Sequence, residues 1–71
     1  MNNYKLTENM RLWLQKIYRE SAENFYGGAS NLHLMALGSN GESAGQLEYY
    51  AEEQREFGRI LEAMATELEE N

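Results

Sequence analysis

The chain has 71 residues, no cysteine, no proline and a formal net charge of −6, so it forms at most one small domain. The missing cysteines exclude disulfides and thiolate metal sites, and the single histidine, His33, excludes an imidazole cluster. Valine and aspartate are also absent while leucine, alanine, methionine and glutamate are common, which predicts an all-α domain.

The first predicted helix spans residues 8–26. Thr7 is a suitable N-cap, Glu8 complements the positive end of the helix dipole, and the Gly27–Gly28 pair predicts the end of the helix. One broad arc of this helix is apolar, and we expect it to face the core. The arc contains Met10, Trp13, Leu14, Ile17, Tyr18 and Phe25. Leu12 lies outside it among charged residues, so Leu12 is either an ordinary exposed leucine or a contact point.

Between residues 27 and 42, an apolar run is bracketed by glycines on both sides. Ser30 can cap a short helix over residues 31–37, whereas the alternation of the apolar residues also permits a short strand. We favour the helix because the run contains no β-branched residue. We expect this short helix to close the open end of a hairpin formed by its two neighbours.

The third predicted helix spans residues 44–69 and begins where Ser43 and Gln46 have the spacing of a capping box. An apolar seam with alternating spacings of three and four follows it, as in helical bundles. The seam contains Leu47, Tyr50, Gln54, Phe57, Leu61, Met64 and Leu68. Beside it a row of small residues recurs every seven positions: Ala44, Ala51, Gly58 and Ala65. Glycine inside a helix costs roughly 1 kcal/mol relative to alanine, so we expect the first helix to approach closely at this row.

These predicted lengths leave the two long helices unmatched. At about 1.5 Å per residue, the first helix is about 28 Å long and the third about 40 Å. Either the middle helix or a second copy of the chain, packed antiparallel, would cover the excess. We favour a homodimer because the core of one chain is small.

The negative charge is concentrated in the last part of the chain. Residues 1–42 contain four basic and four acidic residues, whereas residues 43–71 contain eight glutamates and two arginines, a balance of −6. A basic face is missing, and we expect no direct binding of nucleic acid. The acidic run is either a solvated face that maintains solubility or a surface that binds a basic protein partner.

No motif in the sequence indicates an enzyme, a cofactor or a metal ion. The chain has no Gly-rich phosphate loop, no nucleophile elbow and no pair of metal ligands at helical spacing. A catalytic set would have to join His33 to Ser30 or Ser39, and both serines already fit cap or turn positions. We interpret His33 as part of a polar face, with a pH-sensitive contact as the alternative.

One stripe of the third helix predicts a binding surface, because an exposed tyrosine and isoleucine alternate with glutamates there. Aromatic and aliphatic anchors surrounded by charge are typical of interaction hot spots. The candidate partner-binding residues are Tyr49, Glu53, Glu56, Ile60, Glu67 and Leu12.

We therefore expect a small acidic protein-binding module that blocks or modulates a larger, basic protein that handles nucleic acid. Its size, acidity and lack of a catalytic set are shared with many proteins of phages and mobile elements, including inhibitors of bacterial immune nucleases, although this general similarity involves no specific residue. The alternative is a homodimeric structural or adaptor bundle that scaffolds an assembly through Leu12, Leu34 or Met35. A small enzyme or ligand sensor is the least favoured class, since so short a chain has little volume for a pocket.

The sequence also predicts a cytoplasmic location without membrane association. Its first residues lack the apolar run of a signal peptide, and no apolar stretch approaches the roughly 20 residues of a membrane span. The absence of cysteine agrees with a reducing compartment.

Overall fold

A computed structural model describes residues 5–70 of the chain, and the side chains of residues 5–69. Two α-helices of 30 residues each account for almost all of this range: α1 spans Glu8–Leu37 and α2 spans Gly41–Glu70. Arg11 near the start of α1 contacts Leu68 near the end of α2, so the two helices form an antiparallel hairpin. The prediction of an all-α fold is confirmed.

The predicted start of α1 is also confirmed. The hydroxyl of Thr7 accepts a hydrogen bond from the backbone N–H of Met10 at 3.1 Å, which is the geometry of an N-cap. Glu8 in the first turn pairs with Arg11. Arg11 in turn donates a hydrogen bond to the carbonyl of Leu68 at 3.0 Å, so the start of α1 is joined to the end of α2.

The prediction of three helices is wrong, because α1 continues through Gly27 and Gly28 as far as Leu37. The segment 31–37, predicted as a separate middle helix, forms the last two turns of α1. A glycine pair weakens a helix, but tertiary packing on either side of the pair can maintain it. Gly28 is itself at a close contact, since a Cβ there would lie 3.1 Å from Oε1 of Gln54.

A tight turn of residues 38–40 joins the helices. The N–H of Ser39 donates to the carbonyl of Ala36, and the Ser39 hydroxyl donates to the carbonyl of Met35, both at 3.0 Å. Gly41 has a φ of 61°, in the left-handed region that favours glycine. The second helix therefore begins at Gly41 and not at the predicted residue 44. The two helices are equally long, so there are no unmatched turns for a second copy to cover.

Small residues form the contact between α1 and α2, which we call the alanine seam. Its buried members are Gln15, Ala22, Ala29 and Ala36 of α1 and Ala51, Gly58 and Ala65 of α2. The side-chain amide of Gln15 donates to the carbonyl of Ala65 at 3.4 Å. With a spacing of seven on both helices, this register places Ala22 opposite Gly58 and Ala29 opposite Ala51. The prediction that α1 packs closely on the small-residue row of α2 is confirmed.

The large apolar residues do not form the core that the sequence predicted. Trp13 is 63% exposed and Met10 is 50% exposed, although both lie in the arc that was expected to face the core. Tyr50 and Phe57 of the predicted apolar seam are also exposed. The reason is that the helices meet at the alanine seam, which lies beside the apolar arcs, and most of the side chains between the helices there are no larger than alanine.

The hairpin is a single layer of helices. It measures 50 × 23 × 15 Å, and the smallest dimension is little more than the diameter of one helix with its side chains. Domains usually bury their apolar surface between two layers. Within the described part of the chain, neither helix is both long enough and apolar enough to cross a membrane.

Candidate protein-binding surface

The alanine seam separates two long sides of the hairpin. On the first side, which we call the polar edge, residues of α1 that lie four positions after a seam residue pair with side chains of α2. The pairs are Arg19 with Glu69 at 2.8 Å, Tyr26 with Glu62 at 2.8 Å, and His33 with Glu48 at 2.9 Å. This side completes its polar contacts within one chain.

The opposite side, which we call the apolar face, carries large residues that lie one position before a seam residue. Its members are Leu14 and Met35 of α1 and Tyr50, Phe57 and Met64 of α2. None of these residues is charged. The rings of Phe25 and Phe57 meet beside the seam at a centroid distance of 5.4 Å.

A third surface lies on the outer side of α2, away from α1. Tyr49, Glu53, Glu56 and Ile60 are all exposed there, and we call this group the acidic ridge. The four positions recur at spacings of three and four, so they follow one line along the helix. The structure thus brings together four of the six residues that the sequence predicted as a partner-binding site.

The acidic ridge borders a solvent-open hollow of about 290 Å³. Its lining consists of two aromatic rings and three carboxylates, from Tyr49, Phe57, Glu52, Glu53 and Glu56. Two of the carboxylates are paired with arginines of α2: Glu52 lies 2.8 Å from Arg59 and 3.2 Å from Arg55, and Glu56 lies 3.5 Å from Arg59. The hydrogen bonds from Arg59 and Arg55 lower the pKa of Glu52.

Glu53 differs from its two neighbours because it has no cationic partner within the described residues. It accepts a hydrogen bond from the hydroxyl of Tyr49 at 3.2 Å. This bond raises the pKa of Tyr49, since a phenolate beside a carboxylate would be repelled. The Tyr49 ring also meets the Tyr50 ring edge-on at 5.7 Å. The hollow therefore contains an oriented ring next to an uncompensated negative charge.

Leu12 does not join this group, whereas Glu67 continues its line along α2. Leu12 is an exposed residue of α1, next to Arg11, which contacts Leu68 near the end of α2. Tyr49 lies 19 residues before Leu68, which is about 28 Å along the helix. Glu67 is exposed and lies about 10 Å beyond Ile60, also towards the end of α2.

Glu52 and Phe57 line the hollow but were not among the predicted site residues. Phe57 was assigned to the core because it fits the three–four spacing of an apolar seam. A signal against that assignment is present in the sequence, because Phe57 directly precedes Gly58 in the small-residue row and so lies beside the helix contact. Glu52 is one of the eight glutamates in residues 43–71.

The groups that line the hollow can bind a cationic side chain. The carboxylates and rings of the hollow are exposed, and the buried polar side chain identified in the described region, Gln15, belongs to the alanine seam. Among the described residues, no cluster of three or more potential ligands could hold a metal ion. Rings beside carboxylates can hold a cationic side chain. Comparison with protein families, with curated proteins and with solved structures finds no match.

Proposed function

We propose that this chain is a protein-binding module whose acidic ridge holds basic side chains of a larger partner protein. The observation that carries the proposal is the hollow in which two rings and three carboxylates converge. An arginine guanidinium suits such a hollow, because it can stack on a ring and donate to a carboxylate at the same time. Glu53 offers charge that the chain itself does not neutralise.

The partner class that fits this ridge best is a protein with a basic surface for nucleic acid. Residues 43–71 carry a net charge of −6, so α2 presents negative charge along most of its length. Carboxylates in this arrangement can occupy positions on the partner that otherwise bind phosphates, and they speed association with a basic surface. Binding there would block or modulate the partner in the cytoplasm, a role that suits an anti-defence inhibitor of a phage or mobile element.

Affinity capture with graded salt elution tests this proposal. The tagged chain is incubated with nuclease-treated bacterial lysate, and bound proteins are eluted in salt steps and identified by mass spectrometry. We expect a basic, nucleic-acid-handling protein to elute at moderate salt, because screening weakens contacts between exposed charges. The double reversal Glu53→Lys/Glu56→Lys should remove that protein from the eluate.

A matched control is Glu20→Lys/Glu23→Lys, which changes the net charge equally on exposed positions of α1. This control should still capture the partner if the ridge, and not the overall acidity, is responsible. A partner whose binding ignored both salt and the reversal at Glu53 and Glu56 would rule the proposal out.

A second candidate function is a homodimeric adaptor bundle that scaffolds an assembly through apolar contacts. It is favoured by the large exposed apolar side chains, which include Leu34, Met35 and Leu37 near the turn. Association of this kind should tolerate salt and be lost in Met35→Glu, while the acidic ridge could be mutated without effect. The two candidates therefore differ in their salt dependence and in the residues they require.

A further inference from the structure

We infer that the apolar face is the interface with a second copy of this chain, so that two hairpins stack into a four-helix bundle. The inference rests on the self-association named as the second candidate function, and its interface shares Phe57 with the hollow beside the acidic ridge. The interface residues are those that define the apolar face, from Leu14 to Met64. The occupant is a second copy in two-fold symmetry.

The uncovered area supplies about half of what a standard dimer interface requires. Met35, Tyr50, Phe57 and Met64 are each 37–58% exposed. At about 200 Å² for a complete large side chain, these four alone leave roughly 400 Å² uncovered. Leu14 and polar residues at the rim add to this area, and a standard interface buries about 800 Å² per partner.

The shape of the apolar face allows it to pack against a second copy of itself. In the register of the seam, the large residues Tyr50 and Phe57 of α2 lie beside the small residues Gly28 and Ser21 of α1. Phe57 therefore lies next to a smaller side chain on the same face, whereas Gly28 is covered by the Gln54 side chain. A two-fold axis parallel to the helices places Phe57 of one copy over Ser21 of the other, as an isologous interface requires.

The charge distribution favours the same arrangement. With the axis parallel to the helices, α2 of one copy packs on α1 of the other, and the two acidic α2 helices occupy diagonal positions. Residues 43–71 carry the whole net charge of −6, whereas residues 1–42 sum to zero. Every pair of neighbouring helices in this bundle is also antiparallel, which aligns their dipoles favourably.

Two adjacent tyrosines provide a matched test. Tyr50 is 53% exposed on the apolar face, and Tyr49 is 61% exposed on the acidic ridge. Sedimentation or light scattering should give the wild-type chain twice its 8.2 kDa mass. Tyr50→Glu should raise the dissociation constant of the dimer at least about 100-fold, because the interface would then bury an unpaired carboxylate from each copy. Tyr49→Glu should weaken the dimer far less, because Tyr49 meets the interface only through its edge-on contact with the Tyr50 ring.

A second measurement covers the case in which Tyr50→Glu unfolds, seen as a loss of helical circular dichroism, instead of becoming a folded monomer. The melting temperature of the wild-type chain is then measured at several protein concentrations. A melting temperature that rises with concentration supports the dimer, and a constant one overturns it. A monomeric wild-type chain at micromolar to millimolar concentration would overturn both the self-association and the interface. A wild-type dimer that Tyr50→Glu weakens no more than Tyr49→Glu would leave self-association standing and overturn this interface.

Discussion

The polar edge and the apolar face flank the same alanine seam, but they are completed in different ways. Across the polar edge, Arg19, Tyr26 and His33 of α1 each have a partner on α2. Along the apolar face, Tyr50 and Phe57 remain exposed although they are among the largest side chains of the hairpin. Exposed apolar surface of this extent is typical of protein-binding surfaces.

The comparison also indicates where the stability of one hairpin comes from. The ion pairs of the polar edge are exposed to solvent, and pairs of this kind contribute little because water and salt screen them. The seam, by contrast, is fully closed, with Ala51 and Ala65 at 0% exposure. The internal stability of the hairpin therefore depends on close contact at the seam more than on either side.

The largest effect is expected from Ala51→Leu, which should disrupt the alanine seam and with it both the polar edge and the apolar face. Ala51 lies opposite Ala29 in the seam, so a leucine side chain fits only if the two helices move apart. The pairs of the polar edge would then separate as well. We expect the free energy of unfolding to fall by about 3 kcal/mol, measured by urea denaturation followed by circular dichroism.

Ala63→Leu is the matched control, because Ala63 is an exposed alanine of the same helix. It should change the free energy of unfolding by less than about 0.5 kcal/mol. Equal effects of the two substitutions would mean that the helices do not meet at the alanine seam.

A smaller effect, confined to the polar edge, is expected from Gly58→Ala. A Cβ at Gly58 would lie 2.7 Å from the Tyr26 ring, so the ring would have to move away and release Glu62. We expect a net loss of about 1–2 kcal/mol in the free energy of unfolding, although alanine is the better helix former. Gly27→Ala, which meets nothing within 4 Å, should instead stabilise the hairpin by about 0.5–1 kcal/mol in the same assay.

Local signals in the sequence predicted part of this fold. Thr7 marks the helix start because its hydroxyl binds a nearby N–H, a contact that depends only on neighbouring residues. The row that includes Ala51 and Gly58 predicted the contact surface of α2, since small residues in a helix are best explained by close packing. The exposure of Tyr49 and Ile60 was likewise evident from their position outside the apolar arc.

The remainder depends on contacts between distant residues. Gly27 and Gly28 have the appearance of a helix end, and the continuation of α1 becomes clear only when Ala22 and Ala29 are seen to pack on α2. That second row of small residues was present in the sequence at a spacing of seven, but the larger arc around Trp13 dominated the pattern. An apolar arc indicates that a surface is covered, without distinguishing a partner helix of the same chain from another molecule.

The smallest effect concerns the ionisation of two tyrosines, one on the polar edge and one on the acidic ridge. Hydrogen bonds to Glu62 and Glu53 raise the pKa of Tyr26 and Tyr49 above 10.0. Above pH 10 the folded chain therefore retains protons that the unfolded chain releases, so stability should fall as the pH rises through these pKa values. Ultraviolet titration should show two tyrosines, Tyr26 and Tyr49, that ionise at a higher pH than a free tyrosine does. Glu62→Ala should lower the pKa of Tyr26 and Glu53→Ala that of Tyr49, since each removes the accepting carboxylate, whereas unchanged titration curves would mean that these carboxylates do not hold the hydroxyls.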